Sequence, residues 1–306
     1  MTSTPILFLI FNRPDTTLQV FEKIRENKPE KFYIAADGPR STKPGEQTIC
    51  DQLRATILAG IDWKCEIKTL FRKENLGCML AVTGAIDWFF EQEEMGIILE
   101  DDCLPNNSFF RFCNELLVHY KDDERIMQIS GNNFQFGKKW GEASYYFSKY
   151  NHIWGWATWR RAWKLNTLDK SQFDDFVDSN QINYLFQNAG ERKFWMDHLK
   201  SVYRNSDGSV WDAHWTLSMW MQNGLCILPN VNLVSNIGFG EDALHTKDGG
   251  HTSSKIETKE MDSIILHPAY PLRNFLADND TYNSSYKSLP QKSLAQKIKN
   301  IITFFK

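Results

Sequence analysis

Three carboxylates in a row, Glu100-Asp101-Asp102, follow the apolar run Ile97-Ile98-Leu99 and precede Cys103. The apolar residues read as the end of a buried strand. Packed side by side in a folded core, the three charges would repel one another, and an unpaired buried ion is costly. A strand end that opens into a cleft and holds a cation removes that cost. Oxygen-only ligands suit Mg²⁺ or Mn²⁺ better than zinc. The same residues also fit an acidic turn that caps the following helix through Asp101 or Asp102.

Other residues could share that chemistry. Asp37, in Asp37-Gly38-Pro39, closes an apolar run and could accept a hydrogen bond from a base such as uracil. Asp-Gly-Pro is equally ordinary turn chemistry. Asp212 stands among aromatics in Trp211-Asp212-Ala213-His214-Trp215, just before or at the start of a helix. A general base must meet an acceptor hydroxyl, and a partly apolar setting tunes its pKa by desolvation. A helix N-cap would explain Asp212 as well. His245 follows the glycine-rich start of the loop 238–250, near Lys247 and His251, and could complete a metal shell, contact a phosphate or stand in solvent. Trp154, Trp156 and Trp159 could wall a sugar or belong to the core.

The elements that must position these residues follow from the apolar pattern. Apolar runs at 5–11, 32–36, 65–71 and 96–99 read as strands, and amphipathic stretches near 14–27, 46–59 and 78–90 read as the helices between them. This alternation predicts an α/β sandwich with a mostly parallel central sheet flanked by helices. Ligands in such sheets bind beyond the carboxyl ends of the strands. Asn12/Arg13, Asp37/Arg40, Arg72/Asn75 and the acidic triplet all fall at such ends. Further on, helices are expected near 108–120, 191–205 and 210–222, and strands at 126–129, 225–229 and 232–235.

The 306 residues carry a net charge of −3 and are 42% hydrophobic. That balance gives no reason to expect a nucleic-acid partner. Six cysteines show neither a CxxC pair nor zinc spacing and read, with no signal peptide, as reduced thiols of a cytoplasmic protein. No run approaches the length of a membrane span.

Taken in order, Asn12-Arg13-Pro14, Asp37-Gly38-Pro39, Arg72 with Asn75-Leu76-Gly77, Ile98-Leu99-Glu100-Asp101-Asp102, Trp154-Gly155-Trp156 and Trp211-Asp212 resemble the GT-A-fold glycosyltransferases, particularly bacterial relatives of N-acetylglucosaminyltransferase I. The resemblance spans roughly 4–250, with Glu-Asp-Asp as that family's variant of the Asp-x-Asp metal motif. It implies Mn²⁺ (or Mg²⁺) on Asp102, with Asp101 facing the ribose and Glu100 the donor sugar. It further implies Asp37 at the uracil, Arg13 near the base or phosphates, and Arg72 lining the nucleotide pocket. Asp212 matches the catalytic base, and His245 a variable metal ligand. Ala213 departs from the family's second acidic residue, which bears on acceptor contacts.

The expected organisation is one GT-A domain over 1–270, with a nucleotide-binding half to about 130 and an acceptor half beyond, then a tail over 271–306. Leu294, Ile298, Ile301, Ile302 and Phe305 share one helical face within 289–306, beside Lys292, Lys297, Lys299 and Lys306. Such a basic amphipathic helix could contact the inner face of the cytoplasmic membrane, pack on the domain or join a dimer. The expected activity is inverting, metal-dependent transfer from a nucleotide-diphosphate sugar, a UDP-sugar above others, to a glycan or lipid-linked saccharide acceptor. Loop 238–250 would close over the donor. The alternatives are a non-catalytic carbohydrate- or nucleotide-binding protein and a sugar-phosphate nucleotidyltransferase. The latter would want a glycine-rich loop where Asn12-Arg13-Pro14 stands.

Overall fold

A computed structural model describes residues 3–205, 210–238 and 256–287. The first half runs β1 (Ile6–Ile10), α1 (Pro14–Asn27), β2 (Lys31–Ala36), α2 (Glu46–Ala59), β3 (Glu66–Phe71), α3 (Cys78–Phe90), β4 (Met95–Glu100), β5 (Cys103–Pro105), α4 (Asn107–His119) and β6 (Ile126–Ser130). There follow β7 (Tyr145–Ser148), β8 (Trp156–Trp159), α5 (Arg160–Trp163), α6 (Lys170–Asp178), α7 (Ile182–Leu185), α8 (Ala189–Asn205), α9 (Asp212–Met221), β9 (Leu225–Pro229), β10 (Val234–Asn236) and α10 (Phe275–Thr281).

Eight strands form one sheet in the order β3-β2-β1-β4-β8-β6-β9-β7, and β10 pairs with β5 in a small second sheet. Strands β1 to β4, β6 and β9 share one direction; β8 and β7 run against them. The fold is thus mixed α/β with a mostly parallel central sheet, as expected. β1 is buried along its whole length because helices cover both faces, which is why ILFLI is uninterrupted rather than alternating. One face packs against α1, α2 and α4 through Val20, Phe21, Leu53, Ile57, Phe109 and Phe112. The other packs against α3 and α9 through Val82, Ile86, Phe89, Trp211 and Trp215.

Local signals set the helix ends. Pro14 opens α1 at a position where its missing N–H costs nothing, and Lys28 in the left-handed region closes it. The side chain of Asn106 caps α4 by accepting from Phe109 N–H at 3.1 Å. Asp101 and Asp102 play no part in that cap.

Two expectations change. Trp156 and Trp159 lie in β8, buried between β4 and β6, so they belong to the core rather than to a sugar-facing wall. Trp154 is half-buried just before them. The chain beyond 270 is also no detached tail: α10 packs against β7, and Ala277, Asp278, Thr281 and Tyr282 are buried. The fold therefore continues at least to 287. The amphipathic stretch 289–306 and most of loop 238–250, with His245, lie outside the described residues.

Candidate active site

The sheet order reverses at β1, which lies between β2 and β4. Open α/β sheets form a ligand crevice at such a switch point, beyond the carboxyl ends of the strands. Arg13 follows β1 there, and Glu100 ends β4 with Asp101 and Asp102 directly after it. Arg13 spans both aspartates. Its Nη1 donates to Asp102 Oδ2 at 2.9 Å, its Nε to Asp101 Oδ2 at 3.4 Å, and its Nη2 to the other oxygen of Asp101. Asp101 is only 4% exposed.

Two loops close the back of this corner. Ile237 N–H donates to the Asp102 carbonyl at 2.8 Å, continuing the β5–β10 pairing. The Gly155 backbone meets the Cys103 thiol, and Gly131 N–H donates to the Gly155 carbonyl at 2.7 Å. Gly155 has φ +63°, and a β-carbon there would stand 2.9 Å from Val234 Cγ2 and 3.1 Å from Leu99 Cδ2, so position 155 requires glycine.

The charges are strongly coupled. Burial opposes the charge on Arg13, but the Asp101 and Asp102 carboxylates more than offset it and hold its pKa above the ordinary value. Burial pushes the Asp101 carboxyl up to about 6, with Arg13 pulling it down and Asp102 pushing it further up. Burial also raises Glu100 well above the usual range, helped by the charges of Asp102, Asp101 and Asp212. Among the described residues Glu100 has neither a hydrogen-bond nor an ion-pair partner. Cys78, first residue of α3, has its thiol pushed up to about 12 by burial and then by Glu100, Asp212 and Asp37. Four carboxylates, Glu100, Asp101, Asp102 and Asp212, therefore share one corner with Arg13.

The expectation that the whole triplet grips a cation is corrected: Asp101 and one oxygen of Asp102 are committed to Arg13. The remaining oxygen, Asp102 Oδ1, receives only a weak thiol contact from Cys103 at 3.4 Å. Among the described residues no group of three or more His, Cys, Asp or Glu side chains forms a metal cage. The oxygen donors and surplus negative charge still fit Mg²⁺ or Mn²⁺, which bind through one or two carboxylates and take their other ligands from water and substrate phosphates. Asp102 would hold such an ion.

Asp37 does not have the free lone pairs that reading a base needs. Its carboxylate accepts from Gly38 N–H at 2.9 Å, Asn75 Nδ2 at 3.0 Å, Leu76 N–H at 3.0 Å and Gly77 N–H at 3.1 Å. Those four donors fill a carboxylate's capacity. Turn chemistry explains the residue, and its work is to tie the β2 end to the loop that starts α3. Arg72 is half-buried and donates from Nη1 to the Ala81 carbonyl at 2.9 Å, so it braces the first turns of α3.

Asp212 is the first residue of α9; Trp211 stands at the cap position, and no side chain caps the helix there. Its charge reaches Glu100 and Cys78 on one side and His198 and Tyr286 on the other. Trp211 stacks on Trp156 with centroids 5.9 Å apart and planes at 24°, which fixes the start of α9 against β8. Sequence reasoning missed Gly238, His198 and Tyr286, whose roles depend on contacts across the fold. It also missed Asn132, which follows β6 buried, with neither amide atom partnered. A separate groove of about 500 Å³, lined by Trp140, Tyr145, Phe147, His267 and Leu272, lies along β7 and shares none of these residues.

The sequence matches no family model and no curated protein. Among solved structures, HddC from Yersinia pseudotuberculosis is 9% identical, with a TM-score of 0.29 over 47% of this chain and 59% of that one. A UDP-glucose pyrophosphorylase complexed with UDP-glucose is 13% identical, with a TM-score of 0.26 over 49% of this chain and 59% of that one. The glycosyltransferase GlyE of Streptococcus pneumoniae is 11% identical, with a TM-score of 0.31 over 74% of this chain and 44% of that one. In each case this chain spans less than two thirds of the other protein. Likeness at this level assigns no activity.

Proposed function

We propose that the protein is an inverting, metal-dependent glycosyltransferase that uses a nucleotide-diphosphate sugar, most simply a UDP-sugar, and a saccharide acceptor, free or lipid-linked. The carrying observation is that Asp212 shares one crevice with Glu100-Asp101-Asp102 at the switch point of the sheet. A base and a diphosphate-binding corner must face each other for direct displacement.

In this reading Asp101 fixes Arg13, and Arg13 offers its part-exposed guanidinium to the donor phosphates. Asp102 would hold the divalent ion, which supplies Lewis-acid neutralisation of the leaving diphosphate. Glu100, unpartnered in the protein, is free to accept hydroxyl hydrogen bonds from the donor sugar. Asp212 takes the proton of the acceptor hydroxyl. The acceptor oxygen forms its bond to the anomeric carbon on the face opposite the diphosphate. The bond from that carbon to the phosphate oxygen breaks, its electron pair leaves on the nucleoside diphosphate, and the configuration inverts.

The test incubates the full chain with UDP-sugars and Mn²⁺ and measures UDP release and thermal shift. Asp102→Ala is expected to abolish the Mn²⁺-dependent shift by UDP. Asp212→Asn is expected to keep that shift and lose about 10²-fold or more in turnover, the scale of a lost general base. Wild-type turnover in Asp212→Asn removes the base assignment. UDP binding without release from any sugar, with or without acceptor, would make the protein a binder and not an enzyme.

A further inference from the structure

The end of the described chain returns to the crevice. After α10, residues Tyr282–Tyr286 form a π-helical turn, closed by Lys287 N–H donating to the Tyr282 carbonyl at 2.8 Å. Such turns are rare and concentrate at functional sites. This one is held firmly from behind. Asp278, buried in α10, accepts from Arg273 Nε at 2.6 Å and from Ser148 Oγ at 2.5 Å. Gln135 Nε2 donates to Thr281 Oγ1 at 2.6 Å. These bonds tie α10 to β7 and to the loop after β6, so the π turn has a fixed place against the sheet.

The turn lays Tyr286 on α8. Its ring centroid is 5.0 Å from Trp195, 5.3 Å from Tyr150 and 5.6 Å from Phe194. The polar atoms beside it are already used: Trp195 Nε1 donates to the Tyr150 hydroxyl at 3.3 Å, and that hydroxyl donates to Glu191. The Tyr286 hydroxyl has no partner among the described residues, although protein surrounds the ring and the charge of Asp212 reaches it. A tyrosine hydroxyl so enclosed ordinarily finds a partner. Asp212 also acts on His198, whose exposed ring lies parallel to the half-buried Phe194 with centroids 6.3 Å apart and planes at 2°.

Beside Asp212 there are thus an unpaired hydroxyl, an imidazole and an open aromatic face. A hydroxyl-rich ring with apolar C–H faces suits that combination, stacking on the aromatics while its oxygens meet the polar tips. We propose that Tyr286, with Phe194 and His198, forms the saccharide acceptor subsite, and that the Tyr286 hydroxyl binds a ring hydroxyl next to the one facing Asp212. The assignment to an acceptor rests on the transferase reading above; the sugar site itself does not.

The test titrates the full-length protein with methyl glycosides and disaccharides of glucose, galactose, mannose and N-acetylglucosamine, with and without UDP and Mn²⁺. It follows the intrinsic fluorescence of the tryptophans, of which Trp195 touches Tyr286. Wild type is expected to show a saturable change with at least one sugar. Tyr286→Phe, which keeps the ring and its packing, is expected to weaken that binding about fivefold or more, as for a lost hydrogen bond. Tyr282→Phe, on the same turn, is expected to leave it unchanged. If transfer occurs, Tyr286→Phe raises the acceptor KM and leaves the donor KM and acceptor-free UDP release alone. Saturable sugar binding without UDP release keeps the sugar site and removes the enzyme. No saturable change with any sugar, or equal effects of Tyr286→Phe and Tyr282→Phe, overturns the proposal.

Discussion

Gly238 stands over Asp102 so closely that a β-carbon at 238 would lie 2.3 Å from Asp102 Oδ2. The same β-carbon would be 2.8 Å from Arg13 Nη1. The approach is imposed by the backbone. Asn236 pairs with Cys103 across β10 and β5, Ile237 N–H holds the Asp102 carbonyl at 2.8 Å, and Gly238 N–H donates to Asn236 Oδ1 at 2.9 Å.

Gly238→Ala is therefore expected to push the Asp102 carboxylate and Arg13 aside, because the strand behind them is pinned. Misplacing a binding group by about 1 Å can cost on the order of 10²-fold in rate. We expect Gly238→Ala to lose most of the Mn²⁺-dependent thermal shift by UDP while the metal-free melting temperature falls only a few degrees. A full-sized UDP shift in this variant would show that Asp102 is not where the ion and diphosphate bind.

His152 gives a prediction about acid. It is buried in the loop between β7 and β8, its Nε2 has no partner, and its ring packs edge-on to Phe134 with centroids 4.5 Å apart. Burial pushes its pKa down from 6.5 to about 3. The folded chain keeps it neutral while the unfolded chain protonates it near 6.5. Its contribution is complete above that pH and is lost as pH falls from about 6.5 toward 3. Burial lowers His198 and His214 as well, so the wild-type slope is shared. His152→Asn should remove part of it: the stability gap between variant and wild type, read by urea unfolding at pH 7, 5.5 and 4.5, should narrow as the pH drops. A constant gap rules the imidazole out as a source of the slope.

What the sequence let one read was local. The bounds of α2 and α3 follow from helical periodicity, and the carboxyl ends of β1 to β4 follow from where apolar runs meet polar residues. β7 and β8 were illegible because Tyr-Tyr-Phe-Ser and Trp-Ala-Thr-Trp are buried on both faces and show no alternation. Asp37 and Arg72 were correctly placed at the rim, but their partners, the 75–77 loop and the Ala81 carbonyl, depend on how α3 docks. The π turn that carries Tyr286 leaves no periodic trace, since Tyr-Asn-Ser-Ser-Tyr fits a loop as well.

Lys149 and Glu191 form a buried ion pair at 2.7 Å, with side chains 5% and 2% exposed. Tyr150 also donates its hydroxyl to the same Glu191 oxygen, and Lys149 Nζ lies 3.8 Å from the centroid of Phe186. Burial pushes the lysine down to about 8, with Glu191 acting against that shift. Lys149→Met would leave the Glu191 charge buried with Tyr150 as its remaining printed donor, and breaking such a pair from one side costs about 3–5 kcal/mol. Lys149→Met with Glu191→Leu removes both charges and should recover most of that loss, since apolar replacements of buried pairs are often neutral or better. The lysine also sets an alkaline signature. Above pH 8 the folded chain gives up a proton that the unfolded chain holds until about 10.5, so this group's contribution rises with pH between those values and is lost as pH falls through 8. Wild type should show that rise in urea unfolding relative to the double variant. Equal losses in the single and double variants would mean that packing around Phe186, and not the unpaired carboxylate, carries the effect.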